Sequence, residues 1–361
     1  MRNASSSQTK EPKNDIPFLP EDIIFHILIC LPAEFLHCCG KFVCKAWAKI
    51  ISNPSFIKAH LLQSNDGLFV QKFGKLYHSC FLEFNEGEFR TTHLNCHGHM
   101  VSSCRGLSLF SGSYPERFLF VGNHVTQKYK NLPFPIAKGH LLLSCHIGYI
   151  SHIEEYKVVC HCEISGGEYR WFVLSMDNNN MSWRRMETSL KGISFYCDDR
   201  ASVSVGGAIY YSQMNSHIFV IDLYDETSHS IQVPNEFVGS CYSLLERGNS
   251  LSFIVRHSAE VHVCILKTYV VMNGLNFYKI TETIDGPNFL CESFIPVGWL
   301  DDGQLLAFIH FEKLVVTYNV KTGEARSSDV FSSDLIRKHT NSLVSWKHLE
   351  GKDKRGGVSS T

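Results

Sequence analysis

A repeat constrains this chain more than any other feature. Between residues 63 and 335, short runs of alternating apolar and polar residues follow one another, broken by Gly, Asn and Asp. Leu68–Phe73, Ile209–Ser212, His217–Leu223, Leu251–Val255, Val261–Leu266, Leu305–Ile309 and Leu314–Asn319 are such runs. A two-residue period punctuated by turn residues means strands with one face toward a core. The runs group into units ending at Trp183–Met186, His229–Val233, Phe277–Ile280 and Glu324–Ser327. Met186, Val233, Ile280 and Ser327 stand at equal steps of 47 residues, and two less regular units end near Leu94 and Leu132. About four short strands per unit at such a period is the pattern of a β-propeller blade, so about six blades are expected. A β-sandwich or two stacked β-domains is the competing architecture. Helical periodicity is nearly absent here; Asp334–Lys338 is one short helical candidate.

Ahead of the repeat, from Leu19 to Leu62, the period changes to that of a helix. Pro20 fits the first helical position, where its missing N–H is no loss. Glu21 and Asp22 put negative charge at the positive end of the helix dipole. Ile23, Ile24, Ile27, Leu28 and Leu31 form one stripe, and Pro32 stops the helix at or before itself. Phe25, Ile29 and Cys30 lie on the other side, so this helix is covered on more than one side. A second apolar series runs Phe35, Leu36, Cys39, Phe42, Val43, Trp47, Ile50 and Ile51. A unit this small buries only a modest core alone, so another surface is expected to complete it.

These residues resemble an F-box. The matching elements are Leu19-Pro20-Glu21-Asp22, Leu31-Pro32, Val43-Cys44-Lys45-Ala46-Trp47, and Pro54-Ser55-Phe56 followed by His60-Leu61. One residue more than in plant members separates Pro32 from Trp47; Gly40 is the extra one, and a bulge or longer link is expected there. The β region resembles the F-box-associated domain of plant F-box proteins, a kelch-like set of repeats. Cys104-Arg105-Gly106-Leu107, Tyr156-Lys157-Val158-Val159, Ser182-Trp183-Arg184, Gly207-Ala208-Ile209-Tyr210-Tyr211, Ile218 to Leu223, Ile231 to Pro234 and Val297-Gly298-Trp299-Leu300 carry that resemblance. Where the family has Asn-Pro, this chain has Asn123-His124.

The fold class expected is α plus all-β. Residues 1–16 form a polar, disordered tail, 17–62 the F-box, 63–335 the propeller-like domain, and 336–361 a C-terminal tail. The resemblance implies a substrate-recognition subunit of an SCF-type ubiquitin ligase. Its F-box would dock on an Skp-type adaptor, and through it on cullin and RING subunits, while the β domain binds a target. A propeller scaffold outside ubiquitin ligation is the alternative. The adaptor-contact or core residues this implies are Leu19, Pro20, Ile23, Ile24, Ile27, Leu28, Leu31, Pro32, Leu36, Val43 and Trp47. No residue of the β domain is singled out for the target.

Other classes find little support. A net charge of −1 suggests neither nucleic acid nor an anionic membrane as partner. No apolar run is long enough to span a bilayer and residues 1–14 are polar, so a soluble protein of the cytoplasm or nucleus is expected. Nucleophile elbows, phosphate loops, dinucleotide fingerprints and His-Glu-x-x-His are missing, and neither catalysis nor a cofactor is expected. His93, Cys96, His97, His99 and Cys104 cluster without a paired Cys-x-x-Cys, so no metal site is assigned. The fourteen cysteines are expected as reduced thiols, Cys160 and Cys162 among the buried ones. Lys41, Lys45 and Lys49 would form one solvated helical stripe, and Trp171, Trp183 and Trp299 would pack within blades.

Overall fold

The computed structural model describes residues 19–345 apart from 73–77, 86–87, 95, 97, 113–116, 137–139, 165–166, 177–180, 188–201, 213–216, 234–240, 258–259, 273–274, 286–293, 311–313 and 330–334. The tail expected at 1–16, and residues 346–361 of the tail expected at 336–361, lie outside the described residues.

Helix α1 (Glu21–Ile29) starts after Pro20, which serves as its N-cap. Short α2 (Ala33–Phe35) follows Pro32 and runs into a π-helical turn, Leu36–Gly40. One residue added to a helix is commonly absorbed as such a turn, and Gly40 lies buried at its end. Then come α3 (Lys41–Val43), α4 (Lys45–Ile51) and α5 (Pro54–Gln63). Asn53 caps α5, its Oδ1 accepting from the Ser55 N–H at 2.8 Å. Phe56 of α5 meets Phe25 edge to face at 5.1 Å. The buried His60 is hydrogen-bonded through Nε2 to the Leu31 carbonyl at 2.8 Å. α5 is thereby fastened across the end of α1.

Among the described residues twenty-four strands follow, in six antiparallel four-stranded sheets. Blade 1 takes β1 (Asp66–Lys72), β2 (His78–Asn85) and β3 (Glu88–Leu94). Blade 2 is β4 (His99–Cys104), β5 (Leu107–Ser111), β6 (Leu119–Asn123) and β7 (Lys128–Leu132). Blade 3 is β8 (Leu141–Ile150), β9 (Glu155–Ile164), β10 (Glu168–Ser175) and β11 (Arg184–Met186). Blade 4 is β12 (Ser202–Val205), β13 (Ala208–Ser212), β14 (His217–Asp222) and β15 (Ser228–Gln232). Blade 5 is β16 (Cys241–Arg247), β17 (Ser250–His257), β18 (Glu260–Met272) and β19 (Leu275–Asp285). Blade 6 is β20 (Phe294–Leu300), β21 (Leu305–His310), β22 (Leu314–Asn319) and β23 (Ala325–Asp329). The last strand, β24 (Leu335–Thr340), returns to blade 1 and pairs with β1, from Asp66 opposite Thr340 to Gln71 opposite Leu335. Strands β24, β4, β8, β12, β16 and β20 line the centre as a closed ring. The architecture is a six-bladed β-propeller, and all six unit ends read from the repeat fall on outermost strands.

Two sequence expectations fail at this closure. Asp334–Lys338 forms no helix, because Leu335 to Thr340 are needed as the innermost strand of blade 1. The β unit therefore also continues past residue 335. Beyond β24, residues 341–345 are packed tightly over blade 2. The Asn123 amide donates to the Ser342 carbonyl at 2.8 Å, the Ser342 Oγ at 3.1 Å and the Val344 carbonyl at 2.9 Å. Asn123 Oδ1 accepts from the Val125 and Thr126 N–H groups, which shapes its own turn. Ser342 also donates to the Gly106 carbonyl at 3.1 Å. Gly106 has φ +78, and a Cβ there would lie 2.1 Å from the Ser342 Oγ, so glycine is required both by conformation and by space.

The inner strands β4, β8 and β20 each carry a bulge, at Val101, Leu143 and Val297. The one in β8 shifts the register so that Cys145 faces Cys160, with Cα atoms 4.4 Å apart and the two joined as a disulfide. The expectation that all cysteines are reduced is corrected by this pair. Cys160 and Cys162 are both buried, as expected, but Cys160 is bonded across the strands. Trp171 and Trp299 are buried in blades as expected, Trp299 donating to Ser252 Oγ at 2.8 Å. His124, which stands where the family has Pro, is buried, hydrogen-bonded to Asn341 at 2.7 Å and 4.9 Å from the His339 ring.

Two predictions follow from this packing. Replacing Asn123 by Ala takes the amide donor from the buried Ser342 and Val344 carbonyls, and should cost about 2–3 kcal/mol in urea unfolding. Acid should also weaken the fold. Burial holds His124 and His161 down at about 4 and His146 at about 3; His339 also lies well below its ordinary 6.5 through burial, with His124 adding to this. The unfolded chain thus takes up protons first as pH falls. Stability is full above 6.5 and declines toward about 4, so thermal midpoints should drop steadily over that interval.

Candidate functional site

The apolar helices divide between a core and an open surface. Leu28 and Leu36 are fully buried, in one cluster with Ile29, Ile51 and Phe56 of the helices and Leu107 and Val121 of blade 2. Ile24, Leu31 and Trp47 are half-buried against that cluster. The other sequence-derived positions face out: Leu19 is 53% exposed, Ile23 45%, Ile27 46% and Val43 59%, with Pro20 and Pro32 exposed as well. Phe35 at 43% and Phe42 at 73% join them. The sequence set these two phenylalanines in the apolar series but not among the docking residues. The signal that could have found them is their spacing with Cys39, since three-four-residue steps put Phe35, Cys39 and Phe42 on one side of a helix.

So many large apolar side chains within one short stretch are not a scatter of single exposed residues. Exposed apolar surface concentrated on one small unit is the kind of surface on which interaction sites are found. Covering a side chain that is about half exposed stabilises by roughly half of the ~1.5–3 kcal/mol of full burial, and part of that sum offsets the cost of association. The charges around the face are modest. Lys49 lies 4.0 Å from Glu21, both exposed, and Lys41 Nζ approaches His37 and stands 5.0 Å from the Phe42 ring centre. The expected lysine stripe is broken, because Cys44 is extended (φ −159, ψ 167) and separates α3 from α4. Lys41 therefore belongs to a different helix from Lys45 and Lys49.

The unit is held firmly to the propeller. It sits on the face bearing the turns between the first and second strands of the blades, including 104–107 and 150–155. Lys58 of α5 pairs with Glu154, and the Asn341 amide donates to Glu34. Leu343 and Val344 are buried in the same cluster as Leu28. The central channel carries the other concentration of charge. Lys338 Nζ lies 2.8 Å from Asp66 and 3.5 Å from Glu246. Burial opposes the ammonium, yet the two carboxylates hold its pKa above the ordinary value; burial pushes Glu246 up. The triad ties blade 1 to blade 5 through one ammonium held between two carboxylates. Among the described residues no three His, Cys, Asp or Glu side chains are placed to share a metal ion. Of the sequence cluster, burial pushes the Cys96 and Cys104 thiols up to about 12, His99 bonds Ser111 Oγ at 3.0 Å, and His97 lies outside the described residues.

Fold and surface together define a propeller that carries a helical unit with an open apolar face. Residues 61–267 match the family model described as F-box associated beta propeller domain, and the chain belongs to that family. It is similar to the Arabidopsis thaliana F-box protein DOR, with 25% identity over 340 residues, 88% of this chain and 78% of that protein. A second Arabidopsis thaliana F-box protein is 24% identical over 248 residues, 57% of this chain and 68% of its own length. Among solved structures, the propeller domain of Myceliophteria thermophila Cps50 (Swd1) matches with a TM-score of 0.41 at 10% identity, over 70% of this chain and 83% of that one. No helix among the described residues is long and apolar enough to cross a membrane.

The division into core and surface predicts opposite outcomes for neighbouring residues. Leu28→Ala should cost about 2–5 kcal/mol of stability by opening a cavity. Ile23→Ser, on the exposed side of the same helix, should shift stability by no more than about 0.5 kcal/mol. Urea titration of both variants checks this.

Proposed function

We propose that residues 17–62 are an F-box that docks on an Skp-type adaptor, and through it on cullin and RING subunits. The propeller is then the substrate-recognition part of an SCF-type ubiquitin ligase in the cytoplasm or nucleus. The observation that carries this reading is the open apolar face, Leu19, Ile23, Ile27, Phe35, Phe42 and Val43, on a helical unit pinned to its propeller. Family membership and the F-box relatives support it. Such a chain needs no active site, cofactor or nucleic acid. It raises the effective concentration of a bound target beside a ubiquitin-charged enzyme, and geometry supplies the rate.

One observation favours a second reading. The π turn at Leu36–Gly40 reshapes the stretch between Pro32 and Trp47, and would suit a propeller scaffold with a degenerate docking unit. Capture of purified adaptor–cullin complex by the full chain separates the two. The intact chain should bind, and the double variant Leu19→Ala with Pro20→Ala, or Phe42→Ala alone, should weaken binding by about 2–4 kcal/mol with the same unfolding midpoint. Undiminished capture by these variants rejects the assigned face. Failure of the intact chain to bind leaves the scaffold.

A further inference from the structure

The face opposite the helical unit holds a pocket between blades 2 and 3. Its volume is about 290 Å³, and it is bounded by the first residues of β4 and β8, the end of β5, and Phe134. Leu141, Leu142 and Leu143 of β8, Val101 of β4 and Phe134 make its apolar wall, and His99, Ser111, Ser144 and Arg117 make a polar wall of about equal extent. Val101 and Leu143 are two of the three bulged residues of the inner strands, so bulges themselves supply lining. Leu141 is exposed at the mouth.

Two polar features give the pocket direction. Ser144, 3% exposed, is one of its lining residues, and its buried hydroxyl has no hydrogen-bond partner among the described residues. A buried unpaired hydroxyl is costly unless something else satisfies it. At the rim, the exposed Arg117 is fixed over the Phe134 ring at 5.9 Å, and its Nη1 donates to the His140 carbonyl at 2.9 Å. That leaves most of its fork of donors facing outward. The described lining contains Arg117 and His99 and no carboxylate. A cavity with leucine walls on one side, polar groups on the other and a rim guanidinium has the composition of a small recognition pocket. It is complementary to an apolar group next to negative charge.

We propose that this pocket receives a peptide segment in which a large apolar side chain precedes an acidic one. The apolar side chain fills the space between β4 and β8, a backbone group of the peptide pairs with the Ser144 hydroxyl, and the carboxylate meets Arg117. This inference rests on the proposed receptor role, for which it names the class of target. It also places the target on the face away from the adaptor.

The test uses the full chain and an immobilised array of nine-residue peptides with Leu, Ile or Phe before a central Asp, Asn or Lys. The Asp set should retain at least fivefold more protein than the Asn or Lys sets. Arg117→Ala should abolish that preference, and Arg117→Glu should transfer it to the Lys set. Ser144→Ala should weaken capture on the Asp set three- to tenfold while leaving the thermal midpoint unchanged or raised, because it removes a hydroxyl that is unpaired in the free protein. Equal capture on all three sets, or variants indistinguishable from the natural chain, overturns the pocket. So does saturation by 4-phenylbutyrate with no peptide capture, which would make it a site for small apolar acids. Adaptor capture is measured on the same preparations. If it persists while the array stays blank, the pocket fails and the receptor reading stands; if adaptor capture fails while peptides bind, the reverse holds.

Discussion

The pairing of β24 with β1 is the constraint on which the rest of the molecule depends. Every other blade is four consecutive strands joined by local turns, but blade 1 is made from both ends of the β region. Until Leu335–Thr340 lies along Asp66–Lys72, the ring has an open edge on blade 1 and its neighbours lack a wall. The contact spans about the whole propeller in sequence, so it is made against the loop-closure entropy of the whole β region. A single short strand would hold that closure weakly. Residues 341–345 reinforce it through Asn123, Gly106 and the buried Leu343 and Val344.

The same closure decides where the helical unit sits. β1 is the second strand of its blade and begins on the turn-bearing face, and β24 ends there. The helices that precede β1 and the strap that follows β24 are thus delivered to one place. Their packing against each other is a consequence of topology, and Asn341 on Glu34 and Lys58 on Glu154 only orient it. With the unit on one face, the pocket between blades 2 and 3 is left on the other. Adaptor and target would then be held apart by the thickness of the propeller.

How far this was legible in the sequence depends on whether the signal is periodic. Blade number could be read because outermost strands recur at a fixed step and their turns carry Gly, Asn and Asp. The closing strand could not, because Asp334–Lys338 is too short to display a period of two, and its partner stands some 270 residues earlier. The helices of residues 19–62 were legible for the same reason as the blades. Which of their apolar residues face outward was not, because α1 is apolar on both sides; only the packed position of blade 2 separates Leu28 from Ile27. The Cys145–Cys160 pair shows the limit most sharply. Without the bulge at Leu143, Ser144 would stand opposite Cys160, and nothing in the spacing of the cysteines announces that shift.

Rigidity is what the buried polar strap contributes beyond stability. A docking unit joined to a propeller by a free linker samples a volume set by the linker, and the effective concentration of anything held by one part near a partner of the other falls as that volume grows. Here the connection from α5 to β1 is two residues, Ser64 and Asn65, and the far side of the unit is held by Glu34. The hydrophobic cluster that runs from Leu28 through Val344 to Leu107 makes the helices and blade 2 one body. In the proposed receptor role geometry alone would direct the reaction, and the hydrogen bonds of Asn123 and Ser342 would serve it as much as the open apolar face would. That face can remain uncovered in the free chain because the core beneath it is completed from within, by the propeller's own last residues.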